Sequence, residues 1–250
     1  MSFPYRGVPY QTAYPIMRPA AVKALQLDSL LPEAHAGMGW VYSYEHDWAN
    51  AEKAFQQAIR LNPTLTQSYT SYSVSTLQPL RKYDEALQLL QVAARYDPLS
   101  LNVQREIGEV QLFSGRYPEA VDTFHLINEV EPDFPFLQAY LGKALAFAGR
   151  AEEAVPRLEL EQGSPWLAYA YVVTGRRAEA EQLAAESAAY PYRLAVVSAA
   201  LGDTERAVGA LERAAVSEPH RMGRLLIEPE LTALGNDPRV MALRNRFGLP

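Results

Sequence analysis

Catalysis or metal binding would require His, Ser, Asp, Glu or Cys at spacings that let them converge. The chain has four histidines, His35, His46, His125 and His220. No two are four residues apart, the separation that sets two imidazoles on one helix face around a metal. Ser164 follows Gly163 in "GSPW", but the second glycine of a nucleophile elbow is missing. The serine instead precedes a helical pattern, where a hydroxyl caps the first turn. "GMGW" at Gly37 to Trp40 has no third glycine and no strand before it, so it is not a dinucleotide loop; both glycines read as packing positions on a helix. Glu152 and Glu153 open a helical pattern, where carboxylates favour the dipole. Cysteine is absent, which excludes disulfides, thiolate zinc sites and cysteine nucleophiles and fits a reducing compartment. No convergent catalytic set emerges, and the expectation is a protein without enzymatic activity, cofactor or metal.

The elements that would hold any site follow from composition and periodicity. The 250 residues are 48% apolar and 21% charged, enough for a sizeable core and a solvated surface. The formal net charge is -6 with both signs interspersed, and no basic block points to nucleic acid or an anionic membrane. The first fifteen residues are interrupted by Pro4, Pro9 and Pro15 and lack the apolar run of a secretory signal. No stretch approaches the roughly 18 apolar residues of a membrane span. A soluble, cytoplasmic protein is expected.

One phrase recurs. "GRYPEAVDTF" at Gly115, "GRAEEAVPRL" at Gly149, "GRRAEAEQLA" at Gly175 and "GDTERAVGAL" at Gly202 all open on Gly and carry Ala five places later. Prolines close helical patterns at Pro63, Pro98 and Pro132, spaced 35 and 34 residues apart, while Gly149, Gly175 and Gly202 follow at 26 and 27. Each period contains two helical faces, such as Met38, Gly39 and Tyr42 followed by Trp48, Ala51, Phe55 and Ala58. A period of this length marks a stacked repeat. Gly115, Gly149, Gly175 and Gly202 would end first helices in left-handed conformation, which glycine adopts at least cost. Gly39, Gly108 and Gly142 would lie inside helices, opposite the small partners Ala51, Ala120, Ala154 and Ala207. Phe55, Leu90, Phe124, Leu158 and Leu211 would fill the space between successive pairs.

This pattern resembles the tetratricopeptide repeat. "AHAGMGWVYSYEHDWANAEKAFQQAIRLNP" matches at nearly every signature position, departing at His35 where the family prefers Trp. The second unit has one extra residue in its turn and Ser73 in place of Gly. The resemblance implies an all-α fold, a right-handed α-solenoid of antiparallel helix pairs. Residues 1–13 are expected to be an extended segment and 14–31 a lone helix, beginning near Arg18, left from an incomplete repeat. Six helix pairs would occupy 32–224. Residues 225–250 would form a cap in which Val240, Met241, Leu243 and Phe247 cover the last repeat. "PYRLAVVSAALGD" and "DPRVMALRNRFGLP" also resemble the C-terminal repeat regions of bacterial signalling and transcription-regulatory proteins.

In this family first helices line a concave groove. Carried over by position, the lining is Trp40 and Tyr44, then Thr70, Val74 and Gln78, then Arg105, Glu109 and Phe113. It continues with Lys143 and Phe147, Trp166 and Tyr169, and Tyr192 and Arg193. Rigid aromatics with Arg are what protein-binding hot spots use. The Lys and Asn clamp of arrays that grip chaperone tails is missing: Ala36, Trp40, Thr70 and Val74 stand in its places. The expected function is a non-catalytic scaffold that binds a peptide or protein segment in the groove, with self-association through the N-terminal helix as a further contact. The alternative is an enzyme or small-molecule sensor with a pocket in the groove or beside the shortened fifth unit.

Overall fold

The computed structural model describes residues 10–161 and 163–250, with side chains described from Tyr14 onward. The described residues form fifteen α-helices, short 3-10 and π turns, and no strand. A lone helix α1 (Tyr10–Leu27) is followed by six helix pairs. These are α2 (Pro32–Tyr44) with α3 (Trp48–Leu61), α4 (Thr66–Tyr72) with α5 (Tyr83–Tyr96), and α6 (Leu101–Phe113) with α7 (Tyr117–Val130). Then come α8 (Leu137–Phe147) with α9 (Ala151–Leu158), α10 (Leu167–Val173) with α11 (Arg177–Glu186), and α12 (Pro191–Ala200) with α13 (Thr204–Ser217). The chain ends in α14 (Met222–Leu225), a 3-10 turn at Pro229–Leu234, and α15 (Pro238–Arg246). The fold is all-α, of the α-solenoid class.

Local chemistry explains the boundaries. Asp47, Ser100, Asp203 and Asp237 each cap a helix by accepting a backbone N–H of its first turn. Ser164 does not: α10 starts at Leu167 and the Ser164 hydroxyl is buried without a protein partner. A left-handed residue closes the first helix of every pair. Gly115, Gly149, Gly175 and Gly202 do so at φ of 76 to 83°, and His46 and Arg81 take the same place at 60° and 56°. The extra residue of the second unit is absorbed by a π turn at Ser73–Leu77, a wider turn that adds one residue without breaking the helix.

Two compact units result. One comprises the described residues up to Leu77 together with Asp84–Leu99; the other comprises Gln78–Tyr83 and Ser100–Pro250. In the first, α1 packs on α2 through Ala21, Leu25, Met38 and Tyr42. Its Tyr14 and Arg18 both donate to Glu45, the tyrosine hydroxyl at 2.6 Å. The helix begins at Tyr10 rather than near Arg18, so residues 10–13 are helical where an extended segment was expected; residues 1–9 lie outside the described ones. It also runs through Pro15 and Pro19. Both prolines face outward, where water reaches the carbonyls that they leave without an N–H donor.

The helical glycines are notches for large side chains. A Cβ on Gly39 would lie 2.7 Å from the Phe55 ring, and one on Gly108 would lie 2.7 Å from Phe124. The alanines expected at these crossings are fully buried, yet the atom that needs the notch is the aromatic of the partner helix. The same rings reach onward. Phe55 stacks on Tyr72 of the next pair at 5.5 Å, and Phe124 stacks on Tyr140 at 5.7 Å. At Gly142 the notch holds Leu158, with the Ala154 carbonyl 3.3 Å from the would-be Cβ. In the second unit Val240, Leu243 and Phe247 of the C-terminal helix region are buried; Met241, expected beside them, is 50% exposed.

Phe124→Ala is expected to destabilise the protein by about 3–5 kcal/mol in urea denaturation, because it empties a fully enclosed site. Gly142→Leu should cost about 1–3 kcal/mol by overpacking against Leu158 and the Ala154 backbone.

Candidate functional site

The second unit gathers its charges on one face. On α6, Arg105, Glu109 and Phe113 are spaced by four and share a helix face, with Glu106 beside them. On α8, Tyr140 and Lys143, three residues apart, likewise share a helix face. Trp166 at the start of α10 and Tyr192 on α12 extend the row. These first-helix side chains face a segment of their own chain, Pro219 to Leu234.

Contacts with that segment are specific. Lys143, fully buried, pairs with Glu228 and lies 3.3 Å from Glu230. The Tyr192 hydroxyl donates to the other oxygen of Glu228. Arg224 donates to Glu109 and reaches Tyr140 at 3.3 Å, and its guanidinium sits 4.4 Å above the Phe113 ring. Lys143 also lies over Phe113 and Trp166, at 5.0 and 4.7 Å. Arg105 pairs with Glu106 and, at 3.0 Å, with Glu109. Leu225, Leu226, Ile227 and Leu231 of the segment are buried alongside.

Three cations, Arg105, Lys143 and Arg224, thus stand among four carboxylates, Glu106, Glu109, Glu228 and Glu230. With all ionised the cluster carries one uncompensated negative charge in a desolvated place. Burial pushes the Glu106 carboxyl up to about 7 against the opposing pull of Arg105. Burial likewise raises Glu230 to about 7, although Lys143 opposes it. Burial would raise Glu109 too, but Arg224 and Arg105 outweigh it and hold Glu109 below the usual carboxylate range. Tyr192 is pushed well above the ordinary tyrosine value by burial and by Glu228.

Of the positions carried over from the sequence, Gln78, Arg105, Glu109, Phe113, Lys143, Trp166 and Tyr192 meet in this cluster. Glu109, Phe113, Lys143 and Trp166 are buried, so they line an occupied face rather than an open one. Phe147 and Tyr169 stack on each other at 4.2 Å, with Tyr117 at 5.3 Å from Phe147, and are half-buried outside the cluster. Arg193 does not join it and lies over Tyr190 instead. In the first unit Trp40 and Tyr44 stack at 5.8 Å, both half-buried. Glu106, Tyr140, Arg224, Glu228 and Glu230 were not singled out in the sequence. A signal existed: Lys143 is the lone charge in "YLGKALAFAG", and Glu228 and Glu230 interrupt "LLIEPEL". Charges set in apolar runs need each other once buried.

Among the described residues no group of three His, Asp or Glu side chains could hold a metal. His35 bonds the Ser29 carbonyl at 3.0 Å and His46 packs on Trp48. A depression of ≈ 230 Å³ beside the fifth pair is lined by Ala146, Gly149, Ala151, Glu152, Tyr169, Val173 and Thr174. It is smaller than the roughly 300 Å³ where small-molecule sites begin, and holds one carboxylate. No described helix is long and apolar enough to cross a membrane.

Stacked helix pairs of this kind define a class of repeat proteins in which each unit contacts only its neighbours. The tetratricopeptide repeat family matches at residues 32–65, 76–127, 135–159 and 166–186, more than half of the chain, and the protein belongs to that family. Small glutamine-rich tetratricopeptide repeat-containing protein 2 of Mycosarcoma maydis is 30% identical over 86 residues, 34% of this chain and 24% of that protein. The chain therefore matches about a quarter of that relative's length. Two solved structures share the fold. The Pseudomonas aeruginosa pilF structure has a TM-score of 0.54 at 15% identity, covering 84% of this chain and 86% of its own. PilW, a type IV pilus biogenesis factor, has a TM-score of 0.53 at 17% identity, covering 90% and 93%.

A carboxyl whose pKa is raised on folding stabilises the fold below its unfolded value and loses that contribution as pH rises through the folded value. For Glu106 and Glu230 the window runs from the ordinary glutamate range up to about 7. Stability is therefore expected to fall between pH 5 and 8, and Glu106→Gln with Glu230→Gln should flatten that slope. Urea midpoints measured across the range check it.

Proposed function

We propose that this chain is a non-catalytic interaction scaffold that takes a linear peptide or protein segment on its first-helix faces. Proteins of tetratricopeptide repeats generally act as protein–protein interaction scaffolds, which is the ground of the reading. One observation carries the finer part. In the second unit, α6, α8 and α12 already seat a linear segment through buried charge pairs and apolar side chains. A face of that shape and chemistry suits chain segments rather than small molecules. The half-buried aromatics, Trp40 with Tyr44 in the first unit and Phe147 with Tyr169 in the second, are the side chains we assign to direct contact with a partner.

As part of the same proposal, the resemblance of the C-terminal pairs to repeat regions of bacterial signalling proteins sets the scaffold in a bacterial cytoplasm, where a cysteine-free chain functions without disulfides. Self-association belongs to α1, whose outer side exposes Ile16, with Leu27 and Leu30 following it.

Selection of a displayed random-peptide library on the folded protein tests the reading. Selected peptides should share a sequence motif and bind Trp40→Ala or Phe147→Ala at least about tenfold more weakly, the loss expected of a hot-spot aromatic. Selected peptides that bind both helical variants as well as the parent would overturn the assignment. Preferential capture of a compact polar ligand would favour a sensor.

A further inference from the structure

The face of the second unit is closed by part of its own chain. Arg221 to Leu231 meets α6 through Arg224 and Glu109, α8 through Glu228 and Lys143, and α12 through Glu228 and Tyr192. The segment is shorter and less regular than a helix of the array. Its longest helical turn is the four residues of α14. Its backbone hydrogen bonds run only to its own neighbours, such as Leu226 to Met222 and Leu231 to Glu228, so side chains alone hold it to the first helices. Its seat is also imperfectly satisfied: Gln78 Nε2, Glu106 Oε2, Trp166 Nε1 and Arg224 Nε are buried without a hydrogen-bond partner in the protein.

We propose that residues 221–231 are a built-in occupant of this face, a strap that a linear peptide of the same chemistry, an arginine followed by two carboxylates, displaces. This rests on the scaffold reading and names its regulation. The displacing segment must bring two carboxylates, one for Lys143 and Tyr192 and one beside Lys143, as Glu228-Pro229-Glu230 does. It must also bring a cation for Glu109, as Arg224 does, and aliphatic neighbours to replace Leu225, Leu226, Ile227 and Leu231. The strap is tethered at both ends, by α13 before it and by α15, which packs on α13, after it. It therefore competes at high effective concentration, and the face of the resting protein is shut.

Two measurements on the full chain test this. In native-state hydrogen exchange, amides of 222–234 should open as a unit while α6, α8 and α12 stay protected. Exchange of that segment only together with α8 would make it permanent core and overturn the strap. In the second measurement, the labelled peptide PHRMGRLLIEPELTALG, residues 219–235, is titrated into the parent and into Glu228→Lys, whose own strap is repelled by Lys143. Binding to the variant should be at least roughly tenfold tighter, because the competent state is no longer self-occupied. The peptide carrying lysine for both glutamates should not bind. Equal binding to parent and variant, with helicity retained in circular dichroism, would overturn the proposal; if Glu228→Lys unfolds, hydrogen exchange decides. Failure here leaves Trp40, stacked on Tyr44, and Phe147, stacked on Tyr169, as the test of the scaffold itself.

Discussion

A single side chain does two packing jobs in this fold. Phe55 fills the notch that Gly39 leaves on its partner helix, and its ring lies flat on Tyr72 of the following pair. Phe124 does the same with Gly108 and Tyr140. Without the notch the helices of a pair cannot approach; without the stacked tyrosine the ring is left half in water. A pair is therefore incomplete until its neighbour is in place, which is why stability in such arrays resides in nearest-neighbour interfaces. The alternation of small and large residues along the chain is the sequence form of that constraint.

Burying the first-helix face of the second unit has an electrostatic consequence. Arg105, Glu109 and Lys143 would be ordinary solvated charges on an open surface. Covered by Leu225 to Leu231, they must find partners, and the covering segment supplies Arg224, Glu228 and Glu230. The match is short by one positive charge, which explains why burial lifts Glu106 and Glu230 towards neutrality while Glu109, between two arginines, stays ionised. Leaving one partner of such a pair buried alone is costly. The segment seated on this face is thus held by charge complementarity within an apolar surround.

Much of the architecture is legible in the residues and their spacing. Glycine recurring at the ends of first helices marks the turns, and the turns without glycine, at His46 and Arg81, keep the same left-handed geometry because the surrounding pair demands it. The inserted residue of the second unit is visible as a length mismatch, and the π turn at Ser73–Leu77 is how the helix absorbs it. Two local expectations fail for physical reasons. The helix expected from near Arg18 starts at Tyr10 and runs through Pro15 and Pro19, because both face water and the opposite side is held by Glu45. The alanines argue for small-on-small crossings, whereas the notches receive Phe55, Phe124 and Leu158.

Periodicity is a short-range property, so the sequence by itself determined the repeat, its helix pairs and its turn residues. Each depends on neighbours within one period. What covers the first-helix face depends on contacts such as that between Lys143 and Glu228, 85 residues apart, and no local pattern specifies them. The lone lysine in α8 and the glutamates in "LLIEPEL" each announced a charge in need of a partner. Only the packing of Pro219–Leu234 across α6, α8 and α12 decided that they serve one another, because desolvation makes either charge untenable unless the other is there.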